Sequence, residues 1–355
     1  MIIIRITDSD YKKWKKNNDS RKLRKRIRRR RNNINKKRKK SKVSEPLGKK
    51  FIVPSIFSII NNPEETIYFL NNMINEVEKL RKITKKGLKH YHYIWDFFID
   101  MSATDEITSD ALMYLLTIIK NTRENKILPV NWIGNFPKSS EVKEFLKKSG
   151  YLKYMKTASE NLIHTNDYVQ IKCGKGYTYI YDGIVWDIRK EIIDFSCEKL
   201  GKEKIQINFL MTMLTELITN INDHAYDNNN MFEPSWYIFV EDSHEKLSYT
   251  FMDNGLGIPT TIRKYFIEKI IASFNCDKEY KYIEAAVDGV QKRSKTGKIE
   301  RGNGLPSIYE QSSNKNVNNL VIISNRAFFC GNSSFDMDYS LIGTIFYWEI
   351  KKEEK

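Results

Sequence analysis

A predicted helix that carries an acid and an amide one turn apart is the feature that most constrains the C-terminal half. Over Phe209–Tyr226, apolar residues recur at helical spacing and form one buried stripe: Leu214, Leu217, Ile218, Ile221 and Ala225. Four polar residues lie roughly on the other side: Glu216, Asn220, Asp223 and His224. A carboxylate and an amide at this spacing can point at one ligand. Alone, the pattern is equally compatible with an ordinary amphipathic helix whose polar residues face solvent.

Glycine-bearing turns follow this helix along the chain. Leu247–Met252 alternates like a strand and then breaks at Asp253-Asn254-Gly255-Leu256-Gly257, where two glycines permit a tight turn and a close approach of the backbone to a ligand. Further on, Arg301-Gly302-Asn303-Gly304-Leu305 precedes a predicted helix at Pro306–Gln311. Free N–H groups and the helix dipole at such a start can hold phosphate. A predicted strand, Ser340–Glu349, carries Gly343-Thr344.

Taken in this order, the segments resemble the four motifs of the GHKL superfamily, which includes gyrase B, the Hsp90 chaperones, MutL and the histidine kinases. Glu216–Asn220 through His224-Ala225-Tyr226 resembles the N box, and Asp253–Gly257 resembles the first glycine box. Gly302–Leu305 resembles the second glycine box and Gly343-Thr344 the last motif. The resemblance implies an α/β chain in which residues 165–355 form a Bergerat ATP-binding domain, an α+β sandwich.

The resemblance also implies ATP and Mg²⁺ as cofactors. Asn220 would bind Mg²⁺, since an amide oxygen suits a hard cation. Asp253 would accept the adenine amino hydrogen, with Thr344 helping through water. Glu216 would orient and activate water as the catalytic general base. The other implied nucleotide contacts are His224, Gly255, Gly257, Lys298, Arg301, Gly302, Gly304 and Leu305.

Residues 259–301 are expected to form a lid over the triphosphate, with Gln291–Lys298 as its polar, basic part. A solvated loop is the alternative. Histidine kinases usually carry Asn where this chain has Glu216, and residues 165–215 contain no histidine. The N box is therefore closest to the anti-sigma-factor serine kinases and favours an ATPase or a serine kinase over a histidine kinase.

Residues 51–164 are predicted to form a second α/β unit. Predicted helices alternate with predicted strands: Glu64–Lys85, Tyr93–Met101, Ser109–Lys120, Leu128–Ile133 and Ser139–Lys148. Their order is similar to that of a STAS domain, the fold of anti-sigma-factor antagonists; an unrelated small α/β unit is the alternative. Asp110 occupies the position of that family's phosphorylated serine. The resemblance therefore implies a STAS-like domain without its phosphate acceptor.

The charge of the chain is concentrated at its N-terminus. Residues 12–50 hold 21 Lys/Arg against Asp19 and Glu45, a net of +19, whereas residues 51–355 sum to −2. Self-repulsion and few apolar residues predict a disordered tail over residues 1–50. Such a segment could neutralise the phosphates of a nucleic acid, with DNA and RNA both open. A solubilising extension is the alternative.

Composition also bounds the location of the protein. No apolar run approaches the ~20 residues that a membrane helix needs. Four cysteines lie far apart without a CxxC pair, as expected of free thiols in a cytosolic protein. We therefore expect a cytoplasmic protein without a membrane partner.

These observations predict an Mg²⁺-dependent ATPase that acts as a nucleotide-gated switch. The basic segment would hold it on nucleic acid, and a protein partner or a second copy is expected. The Asn-, Ile- and Lys-rich composition suggests an AT-rich bacterial genome, and family analogy adds a stress or antiphage system. One alternative is a serine/threonine kinase acting on a separate antagonist. Another is a nucleic-acid-binding protein whose ATP site is regulatory.

Overall fold

The computed structural model describes residues 48–85, 95–124, 130–154, 168–175, 183–225, 232–262, 278–289, 304–314 and 316–353. Within these ranges the chain is a mixed α/β protein. Two predictions lie mostly or wholly outside them: the basic tail and the Gln291–Lys298 part of the lid.

The N-terminal part alternates strands and helices. Its strands are β1 (Gly48–Ile52), β2 (Ile56–Phe57), β3 (Trp95–Asp100), β4 (Glu106–Ile107) and β5 (Val130–Gly134), and its helices are α1 (Pro63–Lys85), α2 (Ser109–Glu124) and α3 (Ser140–Lys148). A parallel sheet has the order β1-β3-β5, and β2 pairs with β4 beside it. The predicted helices are confirmed, and the Ser139 hydroxyl caps α3 by accepting a hydrogen bond from the Val142 N–H.

The C-terminal part is built on one large antiparallel sheet. Its strands are β6 (Tyr168–Lys175), β7 (Ser235–Asp242), β8 (Lys246–Asp253), β9 (Asn318–Ser324), β10 (Ala327–Phe329), β11 (Phe335–Asp336) and β12 (Thr344–Lys351). Their order is β11-β10-β9-β12-β8-β7-β6. Strand β12 lies at the centre and pairs with β8 from Thr344 opposite Asp253 to Lys351 opposite Lys246.

Helices cover one face of this sheet. They are α4 (Gly183–Leu200), α5 (Asn208–Asn220), α6 (Tyr280–Val287) and α7 (Gly304–Ser313). Their apolar side chains form a core with alternate residues of the strands, including Trp236, Phe251 and Trp348. The rings of Tyr249 and Trp348 stack at 5.1 Å between centroids. Helix α6 lies in the predicted lid, and α5 passes into one π-helical turn, Ile221–Ala225, before the predicted helix end at Tyr226.

The N-terminal part covers the opposite face. Helix α2 is almost completely buried, and one continuous apolar core joins it to Tyr237, Met252 and Ile345 of the sheet. The Ser109 and Thr250 hydroxyls lie 2.7 Å apart across this contact. Both faces of the large sheet are therefore covered within the described residues, and one apolar core crosses the predicted domain boundary at residue 164.

Among the helices that lie in the described ranges, none combines the length and the apolar character needed to cross a membrane.

Candidate functional site

The start of α7 lies against the polar face of α5. A Cβ added at Gly304 would lie 2.8 Å from Oε2 of Glu216 and 3.1 Å from both Oδ1 and Nδ2 of Asn220. Gly304 is itself buried. The absence of a side chain at Gly304 lets the N-terminus of this helix, where the first N–H groups have no partner within the helix, approach the two polar groups this closely. The structure thus brings Gly304 next to Glu216 and Asn220, which lie 88 and 84 positions earlier in the sequence.

The side chains of Glu216 and Asn220 differ from those of an ordinary solvent-facing helix surface. Burial raises the pKa of the Glu216 carboxyl above its ordinary value. Nδ2 of Asn220 is buried and has no hydrogen-bond partner among the described residues. A buried amide without a partner in a native fold suggests a missing ligand or water. The pair therefore has the features of a binding site rather than those of a solvated helix face.

The π-helical turn after α5 connects this group to the first glycine turn. The Leu256 N–H donates a hydrogen bond of 2.7 Å to the Ala225 carbonyl oxygen. A Cβ at Gly255 would lie 2.3 Å from the same oxygen, so a glycine is required there. The helix that carries Glu216 and Asn220 is in this way fixed to the turn that carries Asp253.

Asp253 lies at the end of β8, directly opposite Thr344 of β12. Its Oδ1 accepts a hydrogen bond of 2.8 Å from the Gly255 N–H. Burial raises the pKa of Asp253 to about 7, although the Gly255 amide and the Thr344 hydroxyl act in the opposite direction. A buried carboxyl poised near neutrality is a typical feature of a functional site.

Positive φ values explain the remaining glycines around Asp253. Gly257 has φ +85°, and Gly343 has φ +94°. A Cβ at Gly343 would lie 2.0 Å from the Asp253 carbonyl oxygen. Gly343 therefore permits the chain before Thr344 to pass directly over the end of β8.

Ser324 and Asn325, at the end of β9, were missed by the sequence interpretation. The Ser324 hydroxyl accepts a hydrogen bond from the Ile258 N–H at 2.8 Å and lies 2.9 Å from the Thr344 hydroxyl. Nδ2 of Asn325 donates to the Leu256 carbonyl oxygen at 3.0 Å. These two residues join the first glycine turn to the last motif. An apolar strand that ends in Ser-Asn was their only signal in the sequence.

The other predicted contacts divide into two groups. Leu305 is half-buried and packs against the apolar core beside Ile262 and Ala286. Lys298, Arg301, Gly302 and the side chain of His224 lie outside the described residues. Within the described part of the chain, no cluster of three or more His, Cys, Asp or Glu could hold a metal ion. The predicted Mg²⁺ ligand, Asn220, is an amide and would not form such a cluster.

The STAS resemblance singled out Asp110, and this residue is fully buried. Its Oδ2 accepts hydrogen bonds from the Ile59 N–H at 2.6 Å and the Ile60 N–H at 3.0 Å. The residue therefore fixes the chain before α1 to the start of α2.

A comparison of the chain with protein-family models returns no match, and a comparison with curated protein sequences also returns none.

Proposed function

We propose that residues 165–355 form a GHKL-type ATP site that hydrolyses ATP with Mg²⁺, as the resemblance implies. The observation that carries the proposal is the approach of Gly304 to Glu216 and Asn220. Two motifs far apart in the sequence converge there, which supports a phosphate site at the start of α7. The antiparallel sheet with helices α4 to α7 on one face supports a Bergerat architecture for this part.

The residues fit such a ligand at both ends. Asp253 presents a buried carboxyl that could accept a hydrogen from a base amino group. At the other end, the first N–H groups of α7 suit phosphate oxygens, and the amide oxygen of Asn220 suits Mg²⁺. The bound cation would neutralise charge on the phosphates. Glu216 would accept the proton of the attacking water, and its raised pKa makes it a better base near neutral pH.

The N-terminal part contacts the loop that leads into Thr344, which supports the idea of a switch. The Glu64 Oε1 accepts a hydrogen bond of 2.9 Å from the Asp338 N–H. Nδ2 of Asn71 donates to the Ser340 carbonyl oxygen at 3.1 Å. The Tyr68 and Tyr339 rings lie 5.1 Å apart between centroids. A change at the nucleotide site could reach the N-terminal part through this loop, and nucleic acid on the basic segment would be the further partner.

The test uses the purified full chain, with calorimetry for ATP binding and phosphate release for turnover, each with and without Mg²⁺. Glu216→Gln keeps the size of the side chain and removes the base, so binding should persist while turnover falls at least about 100-fold. Glu310→Gln, on the exposed side of α7, is the matched control and should leave both unchanged. An absence of ATP binding in the calorimeter would end the proposal.

A serine/threonine kinase would use the same residues, with Glu216 activating a hydroxyl instead of water. Labelled ATP separates the two functions. Free labelled phosphate without a partner protein supports hydrolysis. Label that appears on a second protein, with no phosphate released in its absence, supports the kinase.

A further inference from the structure

A cleft of about 860 Å³ lies on the side of the large sheet that the N-terminal part covers. Its floor is the polar end of the sheet, where Lys246, Ser248, Tyr347 and Glu349 replace the apolar residues found under α2. Its walls are the start of α2, strand β4 and helix α3.

The floor of the cleft is a fixed polar network. Glu349 is almost fully buried and accepts hydrogen bonds from Lys246 Nζ at 2.6 Å and Asn319 Nδ2 at 2.7 Å, and another from the Tyr347 hydroxyl. Burial raises its pKa, but these hydrogen bonds outweigh that effect, so the pKa lies below its ordinary value. Glu349 is therefore a charged carboxylate held in place at the bottom of the cleft.

The lining of the cleft is strongly acidic. Besides Asp110, six carboxylates line it: Asp105, Glu106, Glu141, Glu144, Glu241 and Glu349. Two lysines also line it, and both lie in ion pairs at 2.6 to 2.7 Å, Lys246 with Glu349 and Lys148 with Glu144. Residues 51–355 sum to only −2, so this concentration of negative charge is a local property of the cleft.

Asp110 gives a second, independent indication of a cationic occupant. It lines the cleft and is fully buried, and no hydrogen bond reaches its Oδ1 among the described residues. Burial raises the pKa of the Asp110 carboxyl, although the hydrogen bonds that it accepts act in the opposite direction. A buried carboxyl oxygen without a donor costs free energy, which a positively charged donor would recover.

We propose that the cleft binds the Arg/Lys-rich segment of this same chain, within residues 12–47. That segment carries 19 Lys/Arg against two acids, so its charge complements the lining. It joins the described structure at Gly48, where the next two lysines already pair with carboxylates of the N-terminal part: Lys49 with Glu76 at 2.7 Å and Lys50 with Asp100 at 2.6 Å.

Chain length and covalent attachment favour this occupant over a separate one. A fully extended chain spans roughly 3.3 Å per residue. The 36 residues of this segment are therefore long enough to reach the cleft from Gly48. Attachment gives it an effective concentration of the order of millimolar at the cleft. Nucleic acid and the cleft would compete for the same arginines. The acidic cleft would therefore weaken the binding of the segment to nucleic acid. This inference does not depend on nucleotide binding.

Cys330 provides a native reporter, since its partly exposed thiol lines the cleft. The rate of its alkylation by iodoacetamide, a neutral reagent, would be followed by mass spectrometry in the full chain at low ionic strength. A variant with Arg24, Arg26, Arg28, Arg29, Arg30 and Arg31 changed to Gln should react at least about fivefold faster than the wild type. Added salt should bring the wild-type rate to that of the variant.

Two controls separate occupancy from general electrostatics. Cys197 lies on α4, behind the sheet, and its rate should not change. Glu106→Gln with Glu141→Gln in the cleft should accelerate labelling of Cys330, whereas Glu198→Gln with Glu353→Gln, exposed elsewhere, should not.

Equal Cys330 rates in the wild type and the arginine variant would overturn the proposal. Slower labelling on addition of spermine or a basic peptide, without any effect of the arginine substitutions, would also overturn it. That result would assign the cleft to a separate polycation.

Discussion

The hydroxyl of Tyr114, in the buried helix α2, accepts a hydrogen bond of 2.9 Å from the backbone N–H of Ile342, two residues before Thr344. Tyr114 is fully buried, and burial raises the pKa of its hydroxyl. The N–H of the preceding residue, Leu341, donates to the Asn325 carbonyl oxygen at 2.8 Å. The loop that enters the candidate nucleotide site is thus held by the N-terminal part on one side and by β9 on the other.

Tyr114→Phe should weaken nucleotide binding several-fold and lower the free energy of unfolding by about 1 kcal/mol, because the partly buried Ile342 N–H loses its acceptor. Calorimetric titration with ATP and urea denaturation measure the two effects. Tyr249→Phe is the matched control, since it also removes a buried hydroxyl, bonded to Ser196 at 2.8 Å. It should lower stability without changing nucleotide affinity. Equal affinities in the two variants would contradict a positioning role for Tyr114.

Gly304→Ala should reduce ATP turnover at least about tenfold while changing stability by less than about 1 kcal/mol, since Gly304 is the first residue of α7, where the interior preference for alanine does not apply in full. The new methyl would meet Glu216 and Asn220, and both side chains would have to move. Steady-state phosphate release and thermal unfolding test this. Ser307→Ala, one turn later in α7, serves as the control and should retain wild-type activity. Full activity of Gly304→Ala would argue against a catalytic geometry here.

Asp253 should make the stability of the protein depend on pH. Its pKa of about 7 in the folded state lies above the ordinary value of an aspartate. Between about pH 4 and 7 the folded state therefore keeps a proton that the unfolded state has lost. Its contribution to stability is complete at the acid end and is lost as pH rises towards 7, by at most about 1.4 kcal/mol per pH unit. Asp253→Asn should remove this slope in urea unfolding curves, and parallel curves for both proteins would refute it.

Ser324→Ala should weaken ATP binding and destabilise the fold by about 1 kcal/mol, because the partly buried Ile258 N–H loses its acceptor. Ser196→Ala, also fully buried but behind the sheet, should destabilise the fold without weakening ATP binding. The comparison separates a role at the site from a general loss of packing. Unaltered affinity in Ser324→Ala would mean that the link to Thr344 is dispensable.

The basic segment should give nucleic-acid binding a steep dependence on salt. Each phosphate neutralised contributes about −0.9 to the slope of log K against log salt on duplex DNA. Changing the six arginines named above to Gln should therefore reduce the slope by several units, as measured by fluorescence anisotropy. Changing Lys138, before α3, and Lys147, in α3, to Gln should reduce the slope little. An unchanged slope in the arginine variant would place the interface elsewhere.

Local pattern was sufficient for most of the helices and for some of the strands, whereas α6, in the predicted lid, was not predicted. The predicted helix Ser139–Lys148 agrees with α3 within one residue, and alternation predicted most of β8. Strands β7 and β9 were not predicted. Their runs, Trp236–Val240 and Leu320–Ile323, are apolar at every position because both faces of the sheet are covered, which removes the alternation that identifies a half-buried strand.

The sequence by itself determined the order of the motifs, the glycines that turns require and the separation of positive charge from the folded body. The tertiary structure decided which of these meet. Only packing of α7 against α5 brings Gly304 to Glu216 and Asn220. Only burial of α2 against the sheet creates the bond from Ile342 to Tyr114 and the acidic cleft beside it. Propensity and periodicity act within a few residues, whereas such contacts depend on the burial of apolar faces that lie far apart in the chain.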